Sequence, residues 1–413
     1  MENKVEAQFT SKRSHVGFLL SLGLGHVTPF FELAKILVTN HGFHVTFFNI
    51  TTEVSSAQNN LLHSPNFPLH FDIVNLPTID ISNLVNSETP GIIHLCINTN
   101  KRCCSQCNIL VFTFFTASAR LLALSLFLPQ LDRDVEGEFV DLLHSVQVPD
   151  YEPNRKIDEY KWYFYHVFLG ILLNTWEDLE PVTLRALQEH AFYHNIPIPP
   201  VHPIGPVIKK TEPMGQTGSE CIAWLNQQPS NSVLFVTFGS GGTLTIKQQN
   251  ELAWGLELSG QRFLWVVRAP SNGSASASFF NAGYNDGNNV GSYLPKGFVE
   301  KTQGRCKLVT SWAPQVEILR HPAMAAFLTH CGWNSLLESV TNGVPMIAWP
   351  LYAEQRMNAM MVDEEIGVGV KVKVGEGALV PREEVERVAK MVMVNGSSYH
   401  SRLAFAKLWK HQF

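Results

Sequence analysis

The stretch THCGWNSLLESVTNGVPMIAWPLYAEQ, residues 329–355, alternates apolar segments with groups that can hydrogen-bond. The apolar segment reaching Thr329 and the segment from Val344 to Trp349 are predicted as buried β-strands, with a helix between them. Ligands of open parallel sheets lie beyond the carboxyl ends of the strands, so the residues that follow these strands predict a binding site. They are His330, Trp333, Asn334, Ser335, Glu338, Glu354 and Gln355.

The residues after the first strand have the character of an anion site. A helix beginning at Trp333-Asn334-Ser335 presents backbone N–H groups without intrahelical partners and the positive end of its dipole. His330 adds an imidazole, and phosphate is the simplest ligand for this combination. Glu338, one turn into the helix, can accept hydrogen bonds from sugar hydroxyls. Helix capping alone explains Asn334 and Ser335 but not the whole set.

Three further residues suit the same ligand. Trp312 offers a flat surface on which a base can stack, while Glu354 and Gln355 supply acceptors and donors suited to a polyol. The set therefore predicts an anionic ligand that also carries hydroxyl groups and a flat ring.

A first βαβ unit is predicted near the N-terminus. Val16 to Ser21 has the pattern of a strand, Thr28 that of a helix N-cap with Pro29 at the first helical position, and His44 to Ile50 that of the returning strand. Because such crossovers are right-handed, the two strands are predicted to be parallel.

The second unit, SVLFVTFGSGGTLTIKQQNELAWGLELSGQRFLWVVR, has a strand that ends at Phe238 and a helix that stops near Gly260. Strands and helices continue to alternate after this unit. The predicted strands are 263–267, 307–310 and 325–329, and the predicted helices begin at residues 315, 334 and 354. A Pro/Gly-rich stretch precedes the unit, which indicates a linker between two α/β domains with parallel sheets and a ligand in the cleft. The predicted boundaries are 1–206, a linker at 207–219, 220–395, and a tail at 396–413.

Composition narrows the classes of partner. The chain has 413 residues, a formal net charge of −5 and no long basic run, which gives no reason to expect a nucleic acid. Its 7 cysteines are an odd number in a chain too large to need disulfides, so we expect a reducing, cytosolic compartment. No His or Asp stands at ligand-like spacing from Cys96, Cys103, Cys104 and Cys107, and we expect no metal.

Two stretches of the N-terminal half are candidates for a secretory signal or a membrane-spanning segment, and neither has the expected pattern. The first fifteen residues are polar and charged and lack the apolar core of a secretory signal. The apolar stretch Ile109 to Leu128 contains Arg120 and begins with β-branched and aromatic residues, so a buried strand followed by a buried helix is predicted there. Asn272 to Ser292 is rich in Gly, Ser and Asn and is predicted as a surface loop.

The stretch from Trp312 to Gln355 resembles the signature box of plant UDP-dependent glycosyltransferases, family 1 enzymes of the two-domain GT-B fold. The resemblance runs through the box without a gap. It extends to LSLGLGHVTPFFELAKIL, ILLNTWEDLEP, PIGPV and SVLFVTFGSGGTL. Within the family, the chain is most similar to phenol glucosyltransferases of the hydroquinone and phenylpropanoid type. The resemblance implies an N-terminal acceptor domain, a C-terminal UDP-sugar domain facing it across the cleft, a monomer, and no cofactor beyond UDP-glucose as donor.

The resemblance also assigns roles to individual residues. Trp312 would stack on uracil and the backbone of Ala313 would pair with the base, while Gln315 and Glu338 would hold the ribose. The diphosphate would be bound by His330, Asn334, Ser335 and Ser240. The sugar would be oriented by Trp333, Glu354 and Gln355, and a terminal Gln in this box usually accompanies glucose.

His26, at the tip of the first βα turn, is the candidate base for an inverting transfer to a phenolic hydroxyl. A position next to a helix N-terminus favours the neutral imidazole that a base requires. In the family this His is oriented by an Asp that follows a later strand. Here the chain passes from HLCINTNKRCCSQCN directly into ILVFTFFTASARLLAL, so the Asp and its strand–helix are predicted to be absent.

Two alternatives remain beside a UDP-glucose:phenol O-glucosyltransferase. One is a catalytically impaired relative, or an incomplete gene model, that still binds a UDP-sugar. The other is a nicotinamide-dependent oxidoreductase with GLGHVT as its phosphate loop. That loop lacks the third Gly of the G-x-G-x-x-G motif, and Glu53 lies too far past its strand to bind a ribose.

Overall fold

The computed structural model describes residues 14–19, 24–50, 69–76, 112–134, 169–196, 198–210, 215–270, 294–310, 312–375 and 379–394. The chain divides into two compact units, Met1–Ile92 and Ile93–Phe413. The predicted linker and domain boundaries remain predictions, and a helix that begins at Gln216 starts inside the predicted linker. Several expectations lie outside the described residues: the four grouped cysteines, Glu53, the loop at 272–292 and the tail at 396–413.

The first unit contains a three-stranded parallel sheet of order β1-β2-β3, with one helix among its described residues. Its elements are β1 (His15–Leu19), α1 (Leu24–His41), β2 (His44–Ile50) and β3 (Phe71–Leu76). The predicted parallel pairing of β1 with β2 is confirmed. Aromatic side chains form its core: Phe18 and Phe47 stack with ring centroids 5.2 Å apart, and Phe31 packs on Phe71 at 5.5 Å. Aromatic pairs of this kind add roughly 0.5–1.5 kcal/mol to the burial of their area.

The predicted start of α1 was wrong. The helix begins at Leu24, so Thr28 is not its N-cap and Pro29 lies inside it. Proline has no N–H to donate to the carbonyl of Gly25, but its fixed φ is helical, and one turn from a helix start the lost bond is local. His26 consequently lies in the first turn of α1 rather than before it.

A second three-stranded parallel sheet, of order β4-β5-β6, belongs to the second unit. The strands are β4 (Phe112–Phe115), β5 (Gly170–Leu173) and β6 (Val201–Pro203), and the helices are α2 (Ala119–Asp134), α3 (Pro181–Glu189) and α4 (Ala191–His194). The strand and helix predicted for residues 109–128 are confirmed as β4 and α2. None of the helices that the structure describes is long and apolar enough to cross a membrane.

Glu180 ties this sheet region together through helix capping. Its carboxylate accepts the backbone N–H of Ala119 at 2.9 Å and that of Arg120 at 3.1 Å, at the N-terminus of α2. Burial raises the pKa of this carboxyl group. The Arg120 guanidinium forms an ion pair with Glu365, 245 residues along the chain.

The larger sheet has six parallel strands in the order β12-β11-β10-β7-β8-β9. The strands are β7 (Val233–Thr237), β8 (Arg262–Val266), β9 (Cys306–Val309), β10 (Met324–Thr329), β11 (Met346–Ala348) and β12 (Gly369–Lys371). The helices are α5 (Gln216–Leu225), α6 (Ile246–Ser259), α7 (Phe298–Lys301), α8 (Gln315–Arg320), α9 (Trp333–Asn342), α10 (Gln355–Met360), which continues as a π-helix over Met361–Glu365, and α11 (Arg382–Val394).

Both faces of this sheet are covered, which explains the continuous apolar strands of the sequence. Val233 and Phe235 point into one core cluster, whereas Leu234 and Val236 point into the other. The predicted end of α6 is confirmed, since Gly260 closes the helix with a left-handed φ of 70°. The other strands and helices predicted in this region are confirmed to within a few residues.

The two small sheets bear on the predicted missing segment. Among the described residues, β1 is an edge strand of one three-stranded sheet and β4 is an edge strand of another. Residues 77–111, where the missing strand and helix would fall, lie outside the described part of the chain, so the absence read from the sequence stays a prediction.

Candidate functional site

The candidate site lies at the carboxyl ends of three neighbouring strands of the large sheet, β11, β10 and β7. His330 follows β10, Glu354 follows β11 after a short loop, and Ser240 lies in the turn after β7. The parallel order of the strands brings together side chains that lie up to 114 residues apart. The residues predicted for the donor therefore share one edge of one sheet.

Helix α9 begins where the sequence predicted, with Trp333 as its first residue. Its N-cap is Gly332, which has no side chain to occupy the first backbone amides, and the Gly332 carbonyl accepts from Leu336 at 3.0 Å. Ser335 is 7% exposed. The N-terminus of α9 thus offers main-chain donors and a positive dipole end beside His330.

The imidazole of His330 is held between two glycines. A Cβ at Gly239 would lie 2.6 Å from its Nε2 atom, and a Cβ at Gly332 would lie 2.5 Å from the same atom. Gly239 also has a φ of 72°, which favours glycine. Burial, and then the nearby Arg268 charge, lower the pKa of His330 to about 4. The ring is therefore neutral at physiological pH, with one nitrogen able to donate to an anion.

The residue between His330 and Gly332 has a strained backbone. Cys331 is fully buried and has a φ of 64°, a conformation that costs roughly 1–3 kcal/mol in a non-glycine residue. Its carbonyl accepts the side-chain amide of Asn358 at 2.9 Å, which helps to hold it in place. Burial raises the pKa of the Cys331 thiol to about 12, so the thiol stays protonated at neutral pH. A protonated, buried thiol has a structural role in this turn rather than a role as a nucleophile.

Gln315, at the start of α8, connects two residues of α9. Its side-chain Nε2 donates to Glu338 Oε2 at 2.6 Å and to Ser335 Oγ at 3.1 Å. Glu338 is 5% exposed. The three side chains thus form a compact polar group in which carboxylate and amide groups can exchange partners with vicinal hydroxyls.

Trp312 and Ala313 precede α8 and differ in exposure. Trp312 is 46% exposed, with the Lys209 Nζ 5.4 Å from its ring centroid, and Ala313 is 6% exposed. A flat ring of this kind can support a planar base, and the side chain of Ala313 packs into the core. The roles predicted for these two residues stay predictions.

Trp333 has a contact that sequence reasoning missed. Its indole Nε1 donates to the main-chain oxygen of Asn174 at 2.8 Å, and the side chain is 3% exposed. Asn174 also exchanges hydrogen bonds with the backbone of Val207 at 2.7 and 3.1 Å. The ring of Trp333 therefore joins α9 to β5, and its backbone N–H is the group placed at the helix N-terminus.

The loop after β11 depends on Gln355. Its Oε1 accepts the backbone N–H groups of Leu351 at 2.9 Å and Tyr352 at 3.2 Å, and the loop passes through Ala353 at a φ of 51°. Burial raises the pKa of the Glu354 carboxyl group. Gln355 thus stabilises the loop through its side-chain oxygen. Its side-chain nitrogen is the other polar atom of the same carboxamide group.

His26 belongs to the first compact unit and the remaining candidates to the second. The residue reaches the surface, and the protein atoms around its imidazole lower the pKa of the ring below the usual range through desolvation. The direction is the one expected for a neutral base, and its cause is this desolvation rather than the helix dipole. Residues 77–111, where the orienting Asp was sought, lie outside the described part of the chain.

Arg268 is the other residue that sequence reasoning did not single out. Its guanidinium donates to the main-chain oxygen of Ser240, in the turn after β7. The only sequence signal was its place at the end of the second βαβ unit. Among the described residues, no three His, Cys, Asp or Glu side chains group as metal ligands would.

The chain matches known glycosyltransferases over most of its length. A family model described as UDP-glucoronosyl and UDP-glucosyl transferase matches residues 182–412. UDP-glycosyltransferase 72E1 of Arabidopsis thaliana is 40% identical, over 96% of this chain and 91% of that protein. Hydroquinone glucosyltransferase of Rauvolfia serpentina is 40% identical, over 92% and 89%.

The crystal structure of TcCGT1 in complex with UDP is 36% identical in sequence, with a TM-score of 0.80 and coverage of 96% of this chain and 94% of that one. The fold is accordingly GT-B. The alignment with the Arabidopsis protein spans 446 residues but uses 96% of 413, about 396, so about 50 aligned positions have no counterpart here. This number of unmatched positions agrees with a missing internal segment. The matches to glycosyltransferases over most of the chain show that the alternative of a nicotinamide-dependent oxidoreductase is wrong. The chain is a glycosyltransferase enzyme and belongs to the UDP-glycosyltransferase family.

Proposed function

We propose that this enzyme transfers glucose from UDP-glucose to a hydroxyl group of a small phenolic acceptor, with inversion at the anomeric carbon. The observation that carries the donor half is the polar group at α9, where Gln315, Ser335 and Glu338 lie within hydrogen-bond distance of one another. The similarity to a hydroquinone glucosyltransferase supports both glucose and a phenol. We also propose a cytosolic monomer that needs no metal.

The donor would lie along the edge of the large sheet. Uracil stacks on Trp312 and pairs with the backbone of Ala313, and the ribose hydroxyls replace the contacts between Gln315 and Glu338. The diphosphate is bound at the N-terminus of α9 by His330, Asn334 and Ser335, with Ser240 from the neighbouring turn. The glucose is oriented by Trp333, Glu354 and Gln355.

In the chemical step, the phenol oxygen forms a bond to the anomeric carbon as the bond from that carbon to the UDP oxygen breaks. His26 takes the phenol proton. The negative charge that develops on UDP is stabilised by the amides of α9 and the neutral His330 donor. A phenol has a pKa near 10, which makes this proton accessible to a neutral imidazole.

The runner-up is a relative that binds UDP-sugar but is catalytically impaired. It is favoured by a specific observation: about 50 aligned positions of the Arabidopsis relative have no counterpart in this chain. In a protease whose catalytic His is oriented by an Asp, replacing that Asp lowers the rate about 10⁴-fold. A similar loss here would leave donor binding intact.

Product formation with UDP-glucose and a panel of phenols separates the two proposals. We expect a glucoside from the unmutated protein and none from His26→Ala, with UDP affinity equal in both. His41→Ala, an exposed histidine at the other end of α1, is the matched control and should keep activity. UDP binding without product from the unmutated protein would favour the impaired relative, and absence of UDP binding would contradict both.

A further inference from the structure

Three adjacent strands supply the surroundings of His330. In the sheet order, β10 lies next to β7, and β7 lies next to β8. His330 follows β10, the turn of Gly239 and Ser240 follows β7, and Arg268 stands two residues beyond β8. The carboxyl ends of parallel strands meet at one edge, so these three segments lie side by side.

The position of the imidazole depends on the turn after β7. The backbone of Gly239 approaches the ring so closely that a Cβ there would overlap it. Any displacement of the turn therefore moves one wall of the imidazole site. The position from which His330 would bind a phosphate therefore depends on the position of that turn.

Arg268 adds a hydrogen bond to this turn, beside the bonds from the Gly239 N–H to Thr237 Oγ1 at 3.3 Å and from the Gly242 N–H to the Phe238 carbonyl at 3.1 Å. Its Nη1 donates to the Ser240 carbonyl. Phe238, Gly242, Thr243 and Arg268 are among the residues that line a small cavity next to the turn. The hydrogen bond from the guanidinium thus links the segment after β8 to the turn after β7.

Arg268 also brings a permanent charge to this edge of the sheet. An arginine keeps its charge at all physiological pH values. The ion pairs formed within the described residues do not include it. Its charge acts on His330, where it opposes a second positive charge on the ring.

We propose that Arg268 is a positioning residue for the donor diphosphate: it fixes the Gly239–Ser240 turn against His330 and supplies the positive charge behind a neutral imidazole. The proposal rests on the proposed role of His330 and Ser240 in binding that diphosphate. Arg268 itself acts through the turn and its field, not by direct contact with the reacting atoms.

Calorimetry tests this proposal. It measures the affinities of two variants, Arg268→Gln and Arg268→Lys, for UDP and for uridine. We expect Arg268→Gln to bind UDP at least 10-fold more weakly and uridine within 2-fold of the unmutated protein, with Arg268→Lys between the two for UDP. Arg262→Gln, an exposed arginine at the other end of β8, is the matched control and should change neither affinity.

A second readout follows the His330 ring itself. Its NMR titration should move to higher pH in Arg268→Gln and stay near that of the unmutated protein in Arg268→Lys, which keeps the positive charge, whereas an equal shift in both variants would report loss of burial instead. Unchanged UDP affinity, or an equal loss for UDP and uridine, would overturn the proposal. If Arg268→Gln does not fold, Arg268→Lys decides on the same criterion. An unmutated protein that binds neither compound would contradict the proposed function instead.

Discussion

The indole Nε1 of Trp333 and the main-chain oxygen of Asn174 form a 2.8 Å hydrogen bond between residues 159 apart in sequence. Trp333 opens the helix at the candidate diphosphate site, and Asn174 follows β5 in the sheet that the resemblance places in the acceptor domain. The two groups are fully or almost fully buried. The bond therefore fixes the N-terminus of α9 relative to another sheet. We expect its loss to lower both the free energy of unfolding and the affinity for the donor.

Trp333→Phe tests that bond. Phenylalanine keeps an aromatic ring but leaves the Asn174 carbonyl without this donor, at a cost of about 1–3 kcal/mol for a buried acceptor, in addition to the smaller ring. We expect the free energy of unfolding to fall by about 2–4 kcal/mol in urea titrations and UDP affinity to fall several-fold. Trp254→Phe, at a partly buried ring on α6, should leave UDP affinity unchanged. Equal UDP affinities for both variants would contradict a role for this bond at the site.

The free energy of unfolding should depend on His330 between pH 6.5 and 4. The pKa of His330 is lowered from 6.5 to about 4 in the folded protein, so in this window the unfolded chain binds a proton that the folded chain does not. Stability from this residue is therefore complete above pH 6.5 and falls as the pH drops towards 4, by on the order of 3 kcal/mol in all.

Urea titrations across that pH range check this dependence. His330→Asn should have a flatter profile than the unmutated protein, whatever its absolute stability. His194→Asn, at an exposed position at the end of α4, should keep the original slope. Identical slopes for the unmutated protein and His330→Asn would rule out a buried neutral imidazole at this position.

Local patterns in the sequence predicted a good part of the fold and the donor site. The end of α6 at Gly260 and the start of α9 follow from local chemistry, a left-handed glycine and a run of hydrogen-bonding residues after a strand. The start of α1 was missed because proline at a first helical position is a statistical preference, and Pro29 fits an interior position one turn in. The contacts of Trp333 with Asn174 could not be predicted, since they join distant segments that share no periodicity.

Gln315→Glu should disrupt the polar group at α9. A carboxylate at this position would face Glu338 at a site where the amide now donates at 2.6 Å, and like charges at that separation repel strongly when partly buried. We expect at least a 10-fold loss of UDP affinity and a similar loss for uridine, because the ribose contacts would be affected. Gln303→Glu, at an exposed position, is the control for the change in net charge. Retained uridine affinity in Gln315→Glu would remove this residue from the ribose site.

Gly255→Ala should destabilise the donor domain without touching the site. Helices α6 and α11 approach so closely that a Cβ at Gly255 would lie 2.7 Å from the carbonyl oxygen of Arg382 and 2.7 Å from Val385 Cγ1. Overpacking of this kind typically costs about 1–3 kcal/mol, and we expect urea titrations to report a loss in that range. Gly215→Ala, whose Cβ would meet nothing within 4 Å, should lose less than about 1 kcal/mol. Since both glycines lie outside the candidate site, the folded variants should bind UDP as the unmutated protein does, and a loss of UDP affinity in Gly255→Ala alone would show that the packing of α6 on α11 also shapes the turn after β7.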